Sequence, residues 1–299
     1  MGQFTMPVST ILITTPLGNV GLETLRALAT RPERSQLRLI AAVRNPDKDR
    51  TALKALADEV VQFDFADPKT VNLALTGVDR VLLVRPPQLA DVDLYFRPFV
   101  DAIKRSDVEQ VVFLSLQGVE NNSITPHHKI EKLIRDDGIP YTFLRPSFFM
   151  QNLSTTHRDE IASHNEIYIP AGDGRTSLID VVDIGEVAAL ILADTAGRHV
   201  NKSYELTGSE ALTYYQMAQT LTDVLGRKIT YKDPLVLAFI WRKWRREAMP
   251  LTFVLVMVAL YTIAKLGKAA GLTSVFQSLT GHAPRTFRQF VEANKAVWS

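Results

Sequence analysis

The sequence of 299 residues contains no cysteine. This absence excludes disulfides, thiol nucleophiles and cysteine-ligated metal sites, and it suits a reducing compartment, so we expect a cytoplasmic protein. An excess of charge of one sign is also lacking. The formal net charge is +2, from 34 Lys and Arg against 32 Asp and Glu, so the composition favours neither nucleic acid nor another polyanion as a partner. The first residues show no basic segment followed by an apolar one, and we expect no signal peptide.

Long hydrophobic runs are scarce. The uncharged apolar run at residues 250–264 spans 15 positions, whereas a helix that crosses a membrane needs about 20. We therefore predict no membrane span. The sequence favours a buried or groove-lining helix here. The alternative is that the preceding stretch WRKWRR, residues 241–246, touches a membrane surface.

Short apolar runs alternate with helical patterns through the first half of the chain. Near-continuous apolar strands of this kind are typical of a parallel sheet that is covered on both faces. The pattern therefore predicts an α/β fold with a doubly wound parallel sheet, whose ligands bind at the carboxyl ends of the strands. The predicted strands are 9–14, 37–43, 60–65, 78–84, 108–115 and 141–146, and the predicted helices are 20–29, 47–56, 68–75, 89–105 and 125–136.

The alternation loosens after residue 148. We divide the chain into a nucleotide-binding domain, residues 1–150, and a mixed region, residues 151–299. The mixed region is expected to complete the sheet and to form a smaller, mostly helical C-terminal lobe that holds the substrate. Thr213 is the predicted N-cap of a helix that ends at Gly226.

The stretch ILITTPLGNVG resembles the strand and glycine turn that open dinucleotide-binding domains. The spacing G-x-x-G-x-x-G would place glycines at positions 15, 18 and 21, but Thr15 replaces the first. We predict that the N–H groups from Gly18 to Val20, at the start of the helix, bind the pyrophosphate. The alternative is a turn that only joins strand to helix. The predicted cofactor-binding residues of this turn are Thr14, Thr15, Leu17, Gly18, Asn19, Val20 and Gly21.

Arg44 follows the second predicted strand directly, with no acidic residue at the strand tip. In this fold an acid at that position binds the ribose 2′-OH of NAD, whereas an arginine suits the 2′-phosphate of NADP. The residue therefore favours NADP(H) over NAD(H), unless it is only a solvated surface arginine. At the end of the third strand, Asp64 is predicted to bind the adenine amino group, with Phe65 packed on the ring.

Val84, Arg85 and Pro86 end the fourth strand and are predicted to lie on the nicotinamide side. Ser115 ends the fifth strand, where its hydroxyl either donates to a substrate carbonyl or caps a loop. Lys129 lies on the first turn of the next predicted helix. There it would bind the nicotinamide ribose or lend positive charge to a developing alkoxide.

The acid–base pair of short-chain reductases, Tyr-x-x-x-Lys, is missing. The position four residues before Lys129 is Thr125, whose hydroxyl has too high a pKa to replace tyrosine as a general acid. His127 and Glu131 share a helix face and are expected to pair at the surface.

Together these segments resemble the NmrA-like family of atypical short-chain dehydrogenase/reductases. The most specific are GIPYTFLRPSFFMQN and SLIDVVDIGEVAA, and the resemblance covers nearly the whole chain. It implies an NAD(P)-binding Rossmann fold with a small C-terminal substrate lobe. Members include quinone reductases, reductases of secondary metabolism and non-catalytic regulators that sense NADP.

The resemblance also implies roles for particular residues. The lysine of the reductase-like members falls on Lys129 or close to it, and the segment that lines the nicotinamide falls on Pro146, Ser147, Phe148 and Phe149. The substrate pocket is expected around Phe148, Phe149 and Met150.

Three functions follow as hypotheses. The first is an NADPH-dependent reductase of a small hydrophobic acceptor such as a quinone, an enone or an iminium, acting as a monomer or homodimer. The second is a non-catalytic protein that senses NADP(H), which the missing acid–base pair would suit. The third is a degenerate fold without a cofactor.

Overall fold

The computed structural model describes residues 8–299 and alternates strands and helices as the sequence predicts. The strands are β1 Ser9–Thr14, β2 Leu37–Val43, β3 Glu59–Gln62, β4 Arg80–Leu83, β5 Gln110–Leu114, β6 Tyr141–Pro146, β7 Phe148–Phe149, β8 Glu166–Tyr168, β9 Arg175–Ile179, β10 Lys202–Leu206, β11 Ala211–Thr213 and β12 Thr230–Lys232. The helices are α1 Asn19–Ala29, α2 Pro46–Leu53, α3 Pro68–Ala74, α4 Val92–Tyr95, α5 Arg97–Lys104, α6 Pro126–Asp136, α7 Arg158–His164, α8 Val181–Ala193, α9 Tyr214–Leu225, α10 Val236–Trp241, α11 Leu251–Lys265, α12 Val275–Thr280 and α13 Phe287–Ala293.

Two compact units share the chain, and each takes two segments of it. Unit 1 runs to Pro146 and takes up the chain again at Val181–Leu206. Unit 2 consists of Ser147–Asp180 and Thr207–Ser299. The chain thus leaves the first unit after β6, returns for α8 and β10, and then completes the second unit.

A seven-stranded sheet forms the centre of unit 1, in the order β3-β2-β1-β4-β5-β6-β10. Every neighbouring pair is parallel, which confirms the predicted doubly wound Rossmann fold. The order in which strands are added to the sheet reverses between β1 and β4, because β2 and β3 extend to one side and β4 to β6 to the other. That switch point is where sheets of this type bind their ligands.

Helix α8 packs closely on α1 within unit 1, and Gly185 makes that approach possible. A Cβ atom at Gly185 would lie 2.7 Å from the backbone carbon of Glu23 and 2.8 Å from the nitrogen of Thr24. Since real Cβ contacts are almost never shorter than 3.0 Å, only glycine fits here. Helix α1 therefore packs directly on the backbone of α8.

The prediction of one continuous helix at residues 89–105 is wrong. The segment forms two helices, α4 and α5, with Phe96 between them. Pro98 sits in the first turn of α5, where its missing N–H costs nothing, but it could not lie inside a continuous helix.

Unit 2 combines a three-stranded sheet, β11-β9-β7, and the strand pair β12-β8 with helices α7 and α9 to α13. Helix α9 begins and ends as predicted. Thr213 forms a capping box with Gln216, and Gly226 closes the helix in the left-handed conformation at φ 71°.

Helix α11 contains the apolar run. The prediction that this run is buried is wrong for most of the helix surface. Only Val254, Met257, Tyr261 and Ala264 are buried, at spacings of three and four residues. The other large apolar side chains of the helix are mostly exposed by about 40–55%. No helix within residues 8–299 is long and apolar enough to cross a membrane.

Candidate functional site

The turn between β1 and α1 keeps the shape of a glycine turn although Thr15 stands at its first position. Thr15 adopts φ 54°, the left-handed region that favours glycine. Two hydrogen bonds hold it there. Its hydroxyl donates to the Val84 carbonyl at 3.1 Å, and its own carbonyl accepts from the Gly18 N–H at 3.0 Å. The turn is therefore retained, with roughly 1–2 kcal/mol of backbone strain.

Gly21 brings α1 against this turn. A Cβ atom at Gly21 would lie 2.3 Å from the Thr15 carbonyl oxygen and 3.1 Å from the Cα of Pro16, so any side chain would push the helix away. Position 18 is less demanding, because a Cβ atom there would lie 3.1 Å from the Thr15 side chain.

The start of α1 presents unused hydrogen-bond donors. Gly18 is its N-cap and provides no side-chain cap, and the first turn has no acidic residue. The N–H groups of Asn19, Val20 and Gly21 donate to no other described residue. The prediction that Gly18 N–H serves the phosphate is wrong here, because it is bound to Thr15. The donors without a described partner lie one position further along, and with the helix dipole they are suited to bind an anion.

Arg44 follows β2 as predicted, and its side chain is exposed. Among the described residues it forms no ion pair. The neighbouring helix α2 is capped by the side chain of Asn45, which accepts from the Lys48 N–H, so the arginine is not needed for local structure. Its guanidinium is free to bind a phosphate.

Asp64 and Phe65 behave differently from each other. Asp64 is half-buried, and its carboxylate accepts one hydrogen bond from the Ala66 N–H at 2.9 Å, which leaves acceptor capacity. The ring of Phe65 is only 5% exposed and lies 5.0 Å from the ring of Phe96 and 5.5 Å from that of Phe99. The prediction that this ring stacks on adenine is therefore wrong, because the ring belongs to the core.

Thr14 and Val84 join β1 and β4 at the switch point. The buried Thr14 hydroxyl donates to the Leu82 carbonyl at 2.9 Å and accepts from the Val84 N–H at 2.8 Å. With the bond from Thr15, both backbone groups of Val84 are used. The loop that begins at Val84 and continues through Arg85 and Pro86 is thus fixed by the same turn that positions α1.

Arg85 is a partly buried cation without a carboxylate partner among residues 8–299. Its Nη1 donates to the carbonyls of Pro86, Pro87 and Leu89 at 3.0–3.1 Å, and its buried Nε has no partner. Burial lowers the pKa of the guanidinium below its ordinary value. A desolvated charge held in place without a counter-ion is the arrangement expected of a site for an anionic or electron-rich ligand.

Ser115 follows the last residue of β5, and His127 lies within the electrostatic influence of Arg85. Ser115 is 4% exposed, and its Oγ has no hydrogen-bond partner. The His127 ring stacks on Phe113 of β5 at 6.0 Å between centroids. Burial and the charge of Arg85 lower the pKa of His127 to about 3, so the imidazole is neutral at physiological pH. Sequence reasoning treated His127 only as a surface residue. Its place on the inner face of α6, one turn before Ile130 and Glu131, was the available signal.

Lys129 lies in the first turn of α6, as the sequence predicts. Its side chain is exposed, and it is two residues from His127, so the two point to roughly opposite sides of α6. The expected pair of His127 with Glu131 is also wrong. Glu131 is buried and accepts two hydrogen bonds from Arg145, at 3.0 and 2.7 Å, and the charge of Glu131 raises the pKa of that arginine.

Unit 2 contains a pocket of its own. The pocket is shallow and nearly filled by its own side chains: the space around its lining is about 260 Å³ with open solvent included, but its cavity is only about 10 Å³. Phe148 and Phe149 line it as predicted, but Met150 is 2% exposed and lies in the core instead. Pro146 ends β6 in unit 1, where its carbonyl accepts from Gln117 N–H. The lining consists of Phe148, Phe149, Asn152, Leu153, His157, Ile169, Leu178, Tyr214, Met217 and Tyr261.

Two polar residues of the lining, His157 and Tyr261, belong to a buried chain of hydrogen bonds. His157 Nε2 lies 2.5 Å from the Tyr261 hydroxyl, and its Nδ1 lies 2.6 Å from Glu160 Oε2. The Lys243 Nζ lies 2.9 Å from Glu160 Oε1. Burial works to raise the pKa of Glu160, but His157 and Lys243 outweigh it and hold that pKa below its ordinary value. Burial raises the pKa of Tyr261 well above its ordinary value.

No group of three or more potential metal ligands occurs among His, Asp and Glu of the part of the chain that the structure describes. The candidate chemistry therefore lies in the anion site of α1, the edge of the sheet near Arg85, and the unit 2 pocket.

Comparison with known proteins agrees with this geometry. A sequence model of the NmrA-like family matches residues 7–272. The chain belongs to the NmrA-like family. It is 30% identical to an NAD(P)H azoreductase of Xenophilus azovorans, over 96% of this chain and 99% of the relative. It is 35% identical to an agroclavine dehydrogenase of Claviceps fusiformis, over 79% of this chain and 83% of the relative.

The fold is similar to that of a solved structure. The NADPH-dependent quinone oxidoreductase of Escherichia coli, in complex with NADPH, matches 95% of this chain and 99% of its own, with a TM-score of 0.83 and 26% identity. The predicted class, an NAD(P)H-dependent oxidoreductase, is the class of these family members. NADP(H), the predicted cofactor, is the one in that complex.

Proposed function

We propose that this protein is an NADPH-dependent reductase of a small apolar acceptor, of which a quinone is the first to test. The observation that carries the proposal is the pairing of an uncapped helix start with a free arginine. The N–H groups of Asn19, Val20 and Gly21 have no partner within residues 8–299, and Arg44 follows the neighbouring strand in the same sheet. These are the donors that the pyrophosphate and the 2′-phosphate require.

The residues present fit this cofactor at further points. Asp64 retains acceptor capacity for an adenine amino group, and Ser115 Oγ is a buried hydroxyl without a partner. Bound NADPH would supply the hydride. The role of the protein is to bind and orient that cofactor. Because His127 is neutral, it adds no second positive charge beside Arg85.

The acceptor is assigned to the unit 2 pocket. Its walls are mainly apolar, and its polar groups include the hydrogen-bonded pair His157 and Tyr261. Apolar walls with a few fixed polar groups are typical of sites for small apolar ligands. The names of the azoreductase and quinone oxidoreductase relatives support acceptors with conjugated, electron-poor groups.

Tyr261 is the proposed proton donor to the reduced acceptor. Its raised pKa keeps it protonated, so it acts as an acid only if its proton is replaced as it leaves. His157 Nε2 lies within hydrogen-bond distance of the phenol oxygen and is placed to pass a proton to it, and Glu160 orients the imidazole through Nδ1. Sequence reasoning missed this pair, because His157 and Tyr261 lie 104 residues apart.

The test is anaerobic oxidation of NADPH, followed at 340 nm, with a panel of quinones, azo compounds and enones. We expect turnover with at least one quinone, and Tyr261→Phe should lower kcat while the Kd for NADPH stays unchanged. Tyr215→Phe, which removes an exposed hydroxyl on α9, is the matched control. Tight NADPH binding without turnover of any acceptor would instead favour the sensing protein. Wild-type kcat in Tyr261→Phe would remove the proton relay but leave the reductase.

A further inference from the structure

Residues 235–272 of unit 2, which we call the α10–α11 surface, expose an unusual amount of apolar side chain. Of the 19 large hydrophobic residues exposed in residues 8–299, 13 lie in this segment. They include Leu255 at 50%, Val256 at 54% and Trp241 at 56%. Apolar patches of this extent mark interaction sites on proteins.

Helix α11 shows why this surface requires a cover. Its 15 residues bury only the stripe of Val254, Met257, Tyr261 and Ala264. The remaining circumference is also apolar, with Phe253 and Leu260 about 40% exposed. A helix that is hydrophobic all round is normally covered all round. At about 1.5 Å per residue, α11 is roughly 22 Å long, too short to span the hydrocarbon layer of a bilayer.

The charge of the surface identifies the cover. Residues 235–272 contain six Lys or Arg and one Glu. Arg242, Lys243 and Lys265 pair with Glu166, Glu160 and Asp233, which leaves Arg245, Arg246 and Lys268 as exposed cations without an ion-pair partner among the described residues. The single acid, Glu247, is already paired with Arg242 and Lys243. A second copy of the chain would bring the same positive charge against it, because a twofold interface pairs a surface with itself. An anionic cover is therefore favoured.

The arrangement of the cations points to lipid. Arg245 lies 4.0 Å from the ring of Trp244, and Arg246 lies 5.2 Å from the ring of Trp241. Neither arginine forms an ion pair with a described residue. Tryptophan with adjacent arginine, beside an apolar helix, is the combination found where proteins lie in the headgroup region of a membrane.

We propose that the α10–α11 surface docks this protein onto anionic phospholipid membranes, with the apolar side of α11 in the headgroup–acyl boundary and Arg245 and Arg246 on lipid phosphates. The protein lies on the membrane and does not cross it. This inference is independent of the reductase activity.

The experiment is flotation of the full chain with vesicles of phosphatidylcholine alone or with 30% phosphatidylserine. We expect binding only to the anionic vesicles, weakened by salt. The fluorescence of Trp241 and Trp244 should shift to the blue, whereas Trp298, which is 1% exposed, contributes a constant background.

Two variants separate charge from apolar contact. Arg245→Glu/Arg246→Glu should lower vesicle affinity by at least about tenfold, and Leu255→Ser/Val256→Ser should abolish the fluorescence shift. The matched control, Lys228→Glu/Lys295→Glu, makes the same charge change at two exposed lysines of unit 2 and should bind as wild type does. Far-UV circular dichroism and thermal unfolding report that each variant is folded.

Three results would overturn the proposal. The first is no flotation with anionic vesicles, and the second is a loss of vesicle affinity in the control variant equal to that in Arg245→Glu/Arg246→Glu. The third is a dimer in solution that Leu255→Ser/Val256→Ser converts to monomer, without any vesicle binding by the wild type. The last would assign the surface to a second copy of the chain.

Discussion

The β1–α1 turn of unit 1 and the α10–α11 surface of unit 2 leave opposite kinds of groups unsatisfied. At the turn, polar donors have no partner: the N–H groups at the start of α1 donate to no described residue. At the surface, apolar side chains have no cover. The first arrangement attracts a compact anion through directed hydrogen bonds, and the second attracts an extended apolar phase. The kind of group left without a partner therefore indicates the class of ligand that each region binds.

The largest effect on NADPH affinity is expected from adding a side chain at Gly21, beside the β1–α1 turn. In Gly21→Ala the added Cβ would lie 2.3 Å from the Thr15 carbonyl oxygen, so α1 must move and its donors with it. Loss of two charge-assisted bonds of about 1.5–3 kcal/mol each corresponds to a hundredfold or weaker affinity for NADPH. Calorimetric titration measures it. Gly18→Ala is the matched control, and an equal loss in both variants would show that the clash is not the cause.

The next effect is a change of cofactor preference. Arg44→Asp replaces a free cation with a carboxylate at the end of β2. We expect NADPH to bind roughly tenfold to a hundredfold more weakly, as loss of a bond of about 1.5–3 kcal/mol predicts, while NADH binding holds or improves. The ratio of the two Kd values is the measurement, with Arg50→Asp on the exposed side of α2 as the control. An unchanged ratio would remove Arg44 from the cofactor site.

A smaller effect concerns pH. The pKa of His127 is about 3 in the folded protein, because of burial and then the charge of Arg85, against an ordinary 6.5. Between these values the unfolded chain binds the extra proton, so the free energy of unfolding falls as the pH is lowered. The slope from this residue is at most about 1.4 kcal/mol per pH unit.

His127→Phe keeps the stacking on Phe113 and removes that slope. Urea unfolding at pH 6.5 and 4.5 should therefore show a smaller loss of stability in the variant than in the wild type. Parallel losses in the two proteins would mean that His127 is not desolvated by its neighbours.

The smallest effect is expected at Thr15. Thr15→Gly relieves the strain of φ 54°, but it also loses the hydrogen bond to Val84 and adds chain entropy to the unfolded state. These terms are each about 1 kcal/mol and oppose one another, so NADPH affinity should change by less than tenfold. A greater gain in calorimetry would show that the threonine damages the turn.

The two regions also differ in how far the sequence could predict them. The turn depends on residues close together in the chain, so Gly18, Gly21 and the apolar strand before them were sufficient to place it. The position of Arg44 at the end of β2 followed in the same way, and its role toward the cofactor stays a prediction. Even here the set of free N–H groups differs by one position from the predicted set, because the Gly18 N–H donates to the Thr15 carbonyl.

Tertiary packing decided the residues that were missed. The periodicity of α6 does not show that Arg145 captures Glu131 and leaves His127 against Phe113. Likewise, the position of Phe65 at a strand end suggests an aromatic ring beside adenine, but this ring lies within an aromatic core. The apolar run of α11 looked buried, because a sequence shows hydrophobicity and not which neighbours are present to cover it.

The most direct test of the reductase assignment is a calorimetric titration of the wild-type protein with NADPH and, separately, with NADH. The free donors of α1 together with Arg44 predict one site per chain, with NADPH bound at least tenfold more tightly than NADH. Absence of NADPH binding at millimolar concentration, or a preference for NADH, would contradict the account.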